Sequence, residues 1–579
     1  MTLQLALGIH SCAGRKTLNQ DFCAGRIPEE PLLSSKGAVV ALADGISSST
    51  VSQTASETAV SSFLEDYYCT SETASVQHAG RQVLQATHAW LYSQSQQIFG
   101  HDPDKGYVCT FSSWVVKGRF AYLFHIGDSR AYLWRAGNLQ LLSNDHRMPA
   151  AGHTGSGQSY LSKALGAGPK LQLDYRKIEL QQGDILLLLT DGVYETLTAA
   201  AMSSLLLANT LARQDMQSLA EQVTAAAYAA GSTDNLSALL LQVQQLPAAE
   251  APPRLDERWQ LVAELQTGAV FDGFYVIRPL YQSHRSHVYL VRDTHSQQLA
   301  VLKTPATEQM ANEAHLARLL LEDWIARRVS SPHLIRAVSS GRERRYIYTL
   351  SEYIDGQTLQ QWHLDHPKPS IEQVRQIILQ VGKGLQALHR AEVLHQDLRP
   401  ENIMITHDGL VKIIDLGSAA VAGLAEQYGT DSPLGMGTAI YAAPEVLLGN
   451  SSTERSDLYA LAVLCYYLLS DRFPYGARMA RCRSLSQQQA LLYQPLTAEE
   501  LAVPQWLDAT LQKAVAADPT KRYQELSAFL YDLQHPNPAY LSKPFRPLLQ
   551  RDPLRFWQLL SLLLLLLNML LLYRLLIPK

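Results

Sequence analysis

The chain has 579 residues, which is more than one ordinary domain needs and predicts two to four domains. Hydrophobic residues make up 47% of the chain, enough to fill the cores of several domains. A net charge of -4 over this length excludes a large basic surface, so no nucleic-acid partner is expected. The six cysteines show no CxxC spacing, and we interpret them as reduced thiols of a cytosolic protein.

The first part of the chain, residues 1–246, alternates strand and helix patterns. Periodic segments predict helices at 53–67 and 75–99. Short apolar runs bounded by Gly, Asn or Asp predict strands at 38–42, 120–126, 131–134, 139–142, 185–189 and 236–243.

Aspartates recur beside these runs, next to a Gly or an Asn. They are Asp21, Asp44, Asp128, Asp191 and Asp234. Mg²⁺ and Mn²⁺ prefer carboxylate and water oxygens, and carboxylates that converge on two such ions bind a bridging water and hold a phosphoryl group. Adjacent glycines let a backbone carbonyl or the phosphate approach closely. The pattern therefore predicts a metal-dependent phosphate hydrolase.

The motifs GRKTLNQD, ALADG, IGDSR, SNDH, LSKALG, LLTDG and STDN are spread along this part. Over residues 1–246 the chain resembles the metal-dependent type 2C serine/threonine phosphatases. The resemblance implies a two-sheet β-sandwich flanked by helices, with two or three Mg²⁺ or Mn²⁺ ions. It implies that Asp44 bridges two ions, that Gly45 offers its carbonyl, and that Asp191 and Asp234 complete one ion.

The same resemblance assigns roles to residues around these ligands. Asp21 supports the ligands from behind, and Asp128 together with Asp191 fits the third-metal site of bacterial members. The phosphate-binding Arg of the family aligns with Lys16, and Arg15 is its neighbour. Either cation is a candidate to bind the phosphate, although a Lys lacks the bidentate fork of an Arg.

Two segments of the first half lack periodic patterns. Residues 145–165 are short and Gly-rich for this family, which predicts a reduced mobile flap over the metal site. Residues 246–254, LPAAEAPPR, are rich in Pro and Ala, and we place the domain boundary there, with a linker at 247–269.

Four short elements follow in a fixed order. They are Ala300-Val301-Leu302-Lys303, HQDLRPEN at 395–402, Asp415-Leu416-Gly417 and Ala443-Pro444-Glu445. Phosphoryl transfer from ATP needs a carboxylate that accepts the substrate proton, a second carboxylate and an amide that hold magnesium, and a Lys on the phosphates. The order Lys, Asp, Asn, Asp supplies these parts.

Residues 270–535 therefore resemble a eukaryotic-type serine/threonine protein kinase domain. The resemblance implies a bilobal fold that binds ATP with one or two Mg²⁺ or Mn²⁺ ions. Asp397 is the expected general base, Asn402 and Asp415 are the expected magnesium ligands, and Arg399 keeps a positive charge near the γ-phosphate.

The kinase resemblance implies further roles. The β3-type Lys303 is expected on the phosphates, with Glu322 as its partner and Glu313 as the alternative. Glu445 is expected to pair with Arg522. Asp457 is expected to hold the catalytic loop, and Gly437-Thr438 in the activation loop at 418–441 is typical of serine/threonine kinases.

The nucleotide loop departs from the kinase pattern. The usual GxGxxGxV is replaced at 281–288 by YQSHRSHV, which has no glycine. Glycines let the backbone approach phosphate closely, so we expect weakened ATP affinity, with the hydroxyls of Ser283 and Ser286 as partial substitutes.

The end of the chain is rich in leucine. Residues 556–573 form a run of about eighteen residues without a charge, near the lower limit for crossing a ~30 Å hydrocarbon core. We therefore predict a juxtamembrane segment at 536–555 and a transmembrane helix at 556–577. This helix would anchor the protein in the inner membrane as a single pass, with the catalytic domains in the cytoplasm.

The sequence thus predicts a bifunctional serine/threonine kinase and metal-dependent phosphatase that acts on protein substrates and uses ATP. The alternative is an active phosphatase joined to a pseudokinase that binds a nucleotide or a partner. The glycine-free loop favours the alternative, whereas the presence of Lys303, Asp397, Asn402 and Asp415 favours the bifunctional enzyme.

Overall fold

The computed structural model describes residues 3–100, 105–149, 159–212, 215–247, 260, 262, 264–309, 312–339, 341–342, 344–424, 440–482, 484–496, 503–541 and 553–576. Several predicted features lie wholly or partly outside these residues. They are most of the linker, the middle of the predicted flap, Gly437-Thr438 with the central activation loop, and much of the juxtamembrane segment.

Within the described residues 3–247, the strands form two five-stranded antiparallel sheets, with orders β1-β12-β11-β6-β7 and β10-β5-β4-β3-β2, and a separate β8-β9 ribbon. In chain order the strands are β1 (Gln4–Cys12), β2 (Asp21–Arg26), β3 (Ala38–Asp44), β4 (Phe111–Lys117), β5 (Phe120–Ile126), β6 (Arg130–Arg135), β7 (Asn138–Leu141), β8 (Arg147–Pro149), β9 (Ser159–Leu161), β10 (Asp174–Glu179), β11 (Ile185–Leu189) and β12 (Leu236–Gln245).

The helices cover the outer faces of these sheets. They are α1 (Leu32–Lys36), α2 (Ser52–Cys69), α3 (Val76–Phe99), α4 (Asp191–Tyr194), α5 (Ala199–Ala212) and α6 (Met216–Ala229). The sheets face each other across a core that contains Trp114, Leu186 and Leu241. Because helices cover the far side of each sheet, β11 is apolar on both faces and all five of its residues are buried. The predicted helix-flanked β-sandwich is confirmed.

The second part begins with a small lobe built on the antiparallel sheet β13-β14-β15-β16-β17. The strands of this part are β13 (Val270–Phe271), β14 (Phe274–Gln282), β15 (Ser286–Asp293), β16 (Leu299–Pro305), β17 (Thr349–Glu352), β18 (Gly356–Thr358), β19 (Val393–Leu394), β20 (Ile403–Thr406), β21 (Val411–Ile413) and β22 (Ala420–Val421). Helix α7 (Glu313–Arg328) packs beside this sheet.

A larger helical lobe follows. Its helices are α8 (Leu359–Asp365), α9 (Ile371–Arg390), α10 (Pro444–Leu447), α11 (Glu454–Ser470), α12 (Leu485–Gln489), α13 (Gln505–Ala514), α14 (Leu526–Gln534) and α15 (Pro538–Leu541). A capping box of Ser370 and Gln373 starts α9, which satisfies backbone groups that the first turn would leave unpaired. Leu385 of α9 and Leu461 of α11 are fully buried in the common core. The predicted bilobal fold is confirmed.

The C-terminal helix α16 (Pro553–Leu576) corrects the predicted membrane anchor. In the part of the chain that the structure describes, no helix has both the length and the apolar character needed to cross a membrane. A span takes about 20 predominantly apolar residues. Our prediction relied on the absence of charge, but Gln558, Ser561 and Asn568 interrupt the leucines. The predicted transmembrane helix at 556–577, and the inner-membrane localisation based on it, are therefore wrong.

Candidate active sites

The predicted metal ligands of the sandwich lie at the ends of four strands. Asp21 starts β2 and Asp44 ends β3, and the two are opposite each other in the ladder. Asp191 lies just after β11, as the first residue of α4, and Asp234 lies just before β12. The antiparallel pairing of β2 with β3 and of β11 with β12 therefore gathers residues that are far apart in sequence.

Burial and neighbouring carboxylates raise the pKa of two members of this group, Asp44 and Asp191. Burial, followed by the charges of Asp21 and Asp191, holds the pKa of Asp44 well above its usual range. Burial, followed by the charges of Asp128 and Asp234, raises the pKa of Asp191 to about 7. Carboxylates whose ionisation is opposed in this way form a site that a cation would stabilise.

Asp21 is held firmly through only one of its oxygens. Its Oδ2 accepts hydrogen bonds from Thr190 Oγ1 at 3.0 Å and from Ser237 Oγ at 2.7 Å. Its buried Oδ1 has no hydrogen-bond donor among the described residues. A buried polar atom without a partner is costly, so this oxygen is a place where a cation, or a water on a cation, fits.

Two glycines allow the close packing of these loops. A Cβ on Gly45 would lie 2.8 Å from the backbone of Ser52, and a Cβ on Gly192 would lie 2.1 Å from the carbonyl oxygen of Asn235. Neither position has room for a side chain. The close approach at Gly192 brings the loop of Asp191 against the loop that precedes β12.

The two predicted phosphate-binding cations lie in different places. Lys16 forms an ion pair with Asp234 and donates to Ser47 Oγ at 3.1 Å. The guanidinium of Arg15 instead lies over the ring of Tyr228, 5.3 Å from its centroid. Lys16 is therefore the cation beside a predicted metal ligand.

Arg147, which the sequence analysis did not select, also lies among the acids. Its Nε is 2.6 Å from Asp128 Oδ2, its Nη2 is 3.2 Å from Asp191 Oδ2, and its Nη1 is 2.8 Å from Glu195 Oε1. The residue belongs to the segment predicted to form a flap over the site. A basic residue in that segment was the available sequence signal.

The acids are chemically suited to hard divalent ions, but their spacing in this structure does not form a complete binding site. Among the described residues, no three His, Cys, Asp or Glu side chains are placed so that they could hold one ion. Asp128, Asp191 and Asp234 are instead each paired with Lys16 or Arg147. The donor set is nevertheless all carboxylate, with an unpartnered oxygen and raised pKa values, which suits Mg²⁺ or Mn²⁺.

In the second half, Lys303 joins the two lobes electrostatically. Its Nζ is 2.7 Å from Glu322 Oε2 and 3.7 Å from Asp415 Oδ1. Burial alone would lower the pKa of Lys303, but these two carboxylates outweigh it and raise the pKa. The charge of Lys303 in turn lowers the pKa of Asp415. Glu313, the alternative partner, is the first residue of α7.

The catalytic loop brings three predicted residues together. Asn402 Nδ2 donates to the backbone oxygen of Asp397 at 2.8 Å and lies 3.2 Å from its Oδ2. Arg399 Nε is 3.8 Å from the same carboxylate oxygen. Because the amide nitrogen of Asn402 serves Asp397, its amide oxygen is the atom suited to coordinate a cation.

The loop is anchored from below by Asp457. Its buried carboxylate accepts hydrogen bonds from the backbone N–H groups of His395 at 2.8 Å and Gln396 at 2.9 Å, and lies 2.9 Å from His389 Nε2. Gln396 has a φ of 66°, a left-handed conformation that this anchor helps to hold. The predicted role of Asp457 in holding this loop is confirmed.

A second buried ion pair supports the larger lobe. The guanidinium of Arg522 contacts both carboxylate oxygens of Glu445, at 2.8 Å and 2.7 Å. This bidentate pair matches the prediction, and Ser456 Oγ also donates to Glu445 at 2.9 Å.

The glycine-free loop is a tight turn between β14 and β15. The Ser283 hydroxyl accepts from the backbone N–H groups of Arg285 and Ser286 and donates to the carbonyl oxygen of Ser286, each at 3.2 Å. Ser286 is buried. Ser283, one of the two serines predicted to substitute for the glycines, thus stabilises the turn in this conformation.

In comparison with known proteins, a different family model matches each half of the chain. The Protein phosphatase 2C family model matches residues 10–239, and the Protein kinase domain model matches residues 277–535. The serine/threonine-protein kinase PknL of Mycobacterium tuberculosis is 30% identical over 268 residues, which cover 46% of this chain and 66% of PknL. The chain spans less than two thirds of the length of the curated kinases that it matches.

Two solved structures resemble single halves of the chain. The PknI kinase domain of Mycobacterium tuberculosis has 25% identity and a TM-score of 0.37, covering 47% of this chain and 99% of that domain. PppA of Pseudomonas aeruginosa, described as a key regulatory component of T6SS, has 19% identity and a TM-score of 0.34, covering 41% of this chain and 97% of PppA.

The acid-lined sandwich and the bilobal half are the two parts of the chain that these family models match. The chain is similar to the protein phosphatase 2C family over residues 10–239 and to protein kinase domains over residues 277–535.

Proposed function

We propose that the chain both transfers the γ-phosphate of ATP to protein serine or threonine and hydrolyses phosphate from such residues. The observation that supports this most directly is Lys303, which lies between Glu322 and Asp415 while Asp457 holds the catalytic loop. A module that only bound a partner would not need this set of charges in contact. The acids of the sandwich support the second activity.

In the phosphatase half, we propose that Asp44, Gly45, Asp191 and Asp234 hold two divalent ions and that Asp21 supports them. When bound, Mg²⁺ or Mn²⁺ supplies positive charge to the phosphoryl group and lowers the pKa of water. Residues 1–246 form this domain and residues 270–535 form the kinase domain in the proposal.

The two cations of the phosphatase site have separate proposed roles. Lys16 lies beside Asp234 and is placed to bind the substrate phosphate. Arg147 occupies the position between Asp128 and Asp191. A third ion would therefore enter this site only after Arg147 has moved away.

In the kinase half, we propose that Asp397 accepts the proton of the substrate hydroxyl. Lys303 holds the ATP phosphates, and Arg399 adds positive charge near the transferred group. The oxygens of Asn402 and Asp415 are the proposed ligands of one or two magnesium ions, which neutralise phosphate charge when bound.

The alternative function, a phosphatase joined to a pseudokinase, is favoured by one observation. The Ser283 hydroxyl donates to the carbonyl oxygen of Ser286 within its own turn. In this conformation the loop therefore has no glycine, and the Ser283 hydroxyl is not available to donate to a phosphate. Both the bifunctional enzyme and the pseudokinase are expected to bind nucleotide more weakly than kinases with a glycine loop.

The deciding experiment uses the full chain with Asp191→Asn, which weakens metal binding in the phosphatase so that transferred phosphate accumulates. This protein should incorporate label from γ-labelled ATP, supplied at millimolar level because typical KM values extend to about 1 mM. Adding Asp397→Asn should reduce incorporation by about 10²–10⁴-fold, since it removes the general base. No incorporation by the Asp191→Asn protein, and no change on adding Asp397→Asn, would establish the pseudokinase instead.

The phosphatase activity is tested separately. Wild-type protein with Mn²⁺ should release phosphate from a phosphothreonine peptide, and EDTA should abolish the release. Asp397→Asn serves as the control, because it leaves the phosphatase half intact. Release that continues unchanged in EDTA would contradict the metal-dependent mechanism.

A further inference from the structure

Among the described residues, the contacts between the two halves of the chain centre on one turn of the phosphatase domain, with Lys117 and His78 beside it. This turn, residues 72–76, connects α2 to α3. It contacts three separate elements of the kinase half: the end of α7, the residue before β19, and the residues after β22. All three elements adjoin the kinase active site, because α7 contains Glu322, β19 leads into the catalytic loop, and β22 follows Asp415.

Gly423, just after β22, is the centre of the contact. Its backbone N–H donates to the carbonyl oxygen of Thr73 at 2.9 Å, and its carbonyl oxygen accepts from Lys117 Nζ at 2.6 Å. The phosphatase domain therefore satisfies both backbone polar groups of Gly423. Lys117 is only 1% exposed, and a buried ammonium needs such acceptors to offset its lost hydration. Each half thus satisfies a polar group of the other.

The same position leaves no space for a side chain. A Cβ on Gly423 would lie 2.6 Å from the carbonyl oxygen of Glu72 and 2.8 Å from those of Thr73 and Ala74. The φ of Gly423 lies outside the left-handed region, so this requirement for glycine is steric and comes from the opposite domain. An alanine here would be acceptable to the kinase backbone but would separate the two halves.

Glu392, which precedes β19, contacts the start of α3. Its Oε2 accepts from the backbone N–H of Ser75 at 2.6 Å, and its Oε1 is 3.7 Å from His78 Nδ1. Ser75 is the N-cap of this 24-residue helix, where the helix dipole and unpaired N–H groups favour a carboxylate. The backbone oxygen of Glu392 also accepts from the N–H of Ala422 at 3.1 Å, which ties this contact to Gly423.

The third contact is an ion pair at the end of α7. Arg328 Nε and Nη2 both donate to Glu72 Oε2, at 3.0 Å and 2.7 Å, and the guanidinium lies 4.1 Å from the ring centroid of Trp324. The position of α7 decides whether Glu322 reaches Lys303. The pair therefore links the phosphatase turn to that helix.

We propose that the phosphatase domain is an intramolecular regulatory partner of the kinase, and that docking of the 72–76 turn supports the kinase-active arrangement. Docking fixes the start of the activation segment at Gly423 and the helix that bears Glu322. This inference rests on the kinase activity proposed above. Docked and undocked states then form a two-state equilibrium, and the Lys303–Glu322 pair is favoured in the docked state.

The first test compares two alanine substitutions in the full chain with Asp191→Asn. Gly423→Ala places a methyl group against the turn, whereas Gly168→Ala adds one where no atom lies within 4 Å and φ is outside the left-handed region. Hydrogen exchange is followed in the 72–78 and 419–424 segments. Gly423→Ala should accelerate exchange in both segments and lower phosphate incorporation by about fivefold or more, the usual lower range of coupling between sites. Gly168→Ala should match the parent protein.

Exchanging the charges of Arg328 and Glu72 tests the same docking without changing Gly423. Arg328→Glu and Glu72→Arg should each accelerate exchange and lower incorporation, and the double variant should restore both. Failure of the double variant to restore either quantity would overturn the proposed role of this ion pair in docking.

The outcomes separate docking from catalysis. Equal exchange in the Gly423→Ala and Gly168→Ala proteins would overturn docking. Faster exchange with unchanged incorporation would overturn regulation while leaving the docked contact. If the parent incorporates no phosphate, the proposed kinase function fails and with it the regulation of activity, while the exchange measurements still decide whether the domains dock.

Discussion

The two active sites of this chain balance charge in opposite ways. In the kinase half, the positive charge of Lys303 lies between Glu322 and Asp415, so residues of the chain neutralise one another. In the phosphatase half, Asp44 and Asp191 lie among other carboxylates and their pKa values are raised. The charges in the kinase cleft are therefore neutralised by its own side chains. The carboxylates of the phosphatase site instead need added cations to neutralise their negative charge.

The phosphatase site partly compensates for this imbalance. Lys16 and Arg147 enter the acid cluster from two loops and pair with three of its members. A divalent ion would have to compete with Lys16 and Arg147 for these carboxylates. Substitutions of paired charges should accordingly damage the kinase, while removal of an inserted cation should assist metal binding by the phosphatase.

Among the effects that test this charge balance, the largest is expected from breaking the kinase pair. Truncating one partner of a buried hydrogen-bonded charge pair costs about 2–5 kcal/mol. Glu322→Gln in the Asp191→Asn chain should therefore lower phosphate incorporation by about 30-fold or more. Glu313→Gln is the matched control, because the Lys303 ammonium contacts Glu322 at 2.7 Å. A greater loss with Glu313→Gln than with Glu322→Gln would reassign the partner of Lys303.

The next effect concerns acid stability of the phosphatase framework. His125 is buried, its Nδ1 lies 2.8 Å from Ser112 Oγ, and its Nε2 lies 3.0 Å from the carbonyl oxygen of Asn144. Burial lowers the pKa of His125 to about 4. The unfolded chain, with a His pKa of about 6.5, binds this proton first, so stability from this group is present above pH 6.5 and is lost as pH falls toward 4.

This loss amounts to about 2 kcal/mol between pH 8 and pH 5. Urea unfolding of the EDTA-treated chain at both pH values should show it in the transition of the phosphatase half. His125→Gln should lose stability at pH 8 but be less sensitive to the change of pH, while His407→Gln, at an exposed position, should behave as the parent. An unchanged pH dependence in His125→Gln would show that other groups cause the acid sensitivity.

The comparison also explains which features the sequence could predict. Strand ends that deliver aspartates, and the Lys-Asp-Asn-Asp order of the kinase, are local patterns, and the folds that they implied are present. The roles of Asp457 and Glu445 were predictable because the motifs that contain them resemble those of the kinase family. The prediction of a C-terminal transmembrane helix failed because we interpreted a run without charged residues as a continuous apolar run.

Other features depend on contacts that no local pattern encodes. Arg147 of β8 contacts Asp191 of α4, and Lys117 of β4 contacts Gly423 of the other half, although each pair is far apart in sequence. Ser283 shows the same limit within one loop: its hydroxyl was predicted to substitute for glycine, but the turn geometry uses it internally.

The smallest expected effect tests the inserted cation of the phosphatase site. Arg147 pairs with Asp128 and Asp191, the two acids of the proposed third-metal site. An ion that enters there must displace the guanidinium. Because Arg147 is partly exposed, this competition should be worth no more than about 1 kcal/mol.

Isothermal titration of the EDTA-treated chain with Mn²⁺ measures this competition without requiring turnover. Arg147→Gln should tighten the weakest Mn²⁺ binding step by up to about fivefold, as about 1 kcal/mol implies. Arg130→Gln is the control, since Arg130 makes a comparable pair with Asp145, which is not a proposed ligand. Weaker Mn²⁺ binding in Arg147→Gln would show instead that the guanidinium orients Asp128 and Asp191 for the metal, and the two sites would then share the use of an internal cation to order their carboxylates.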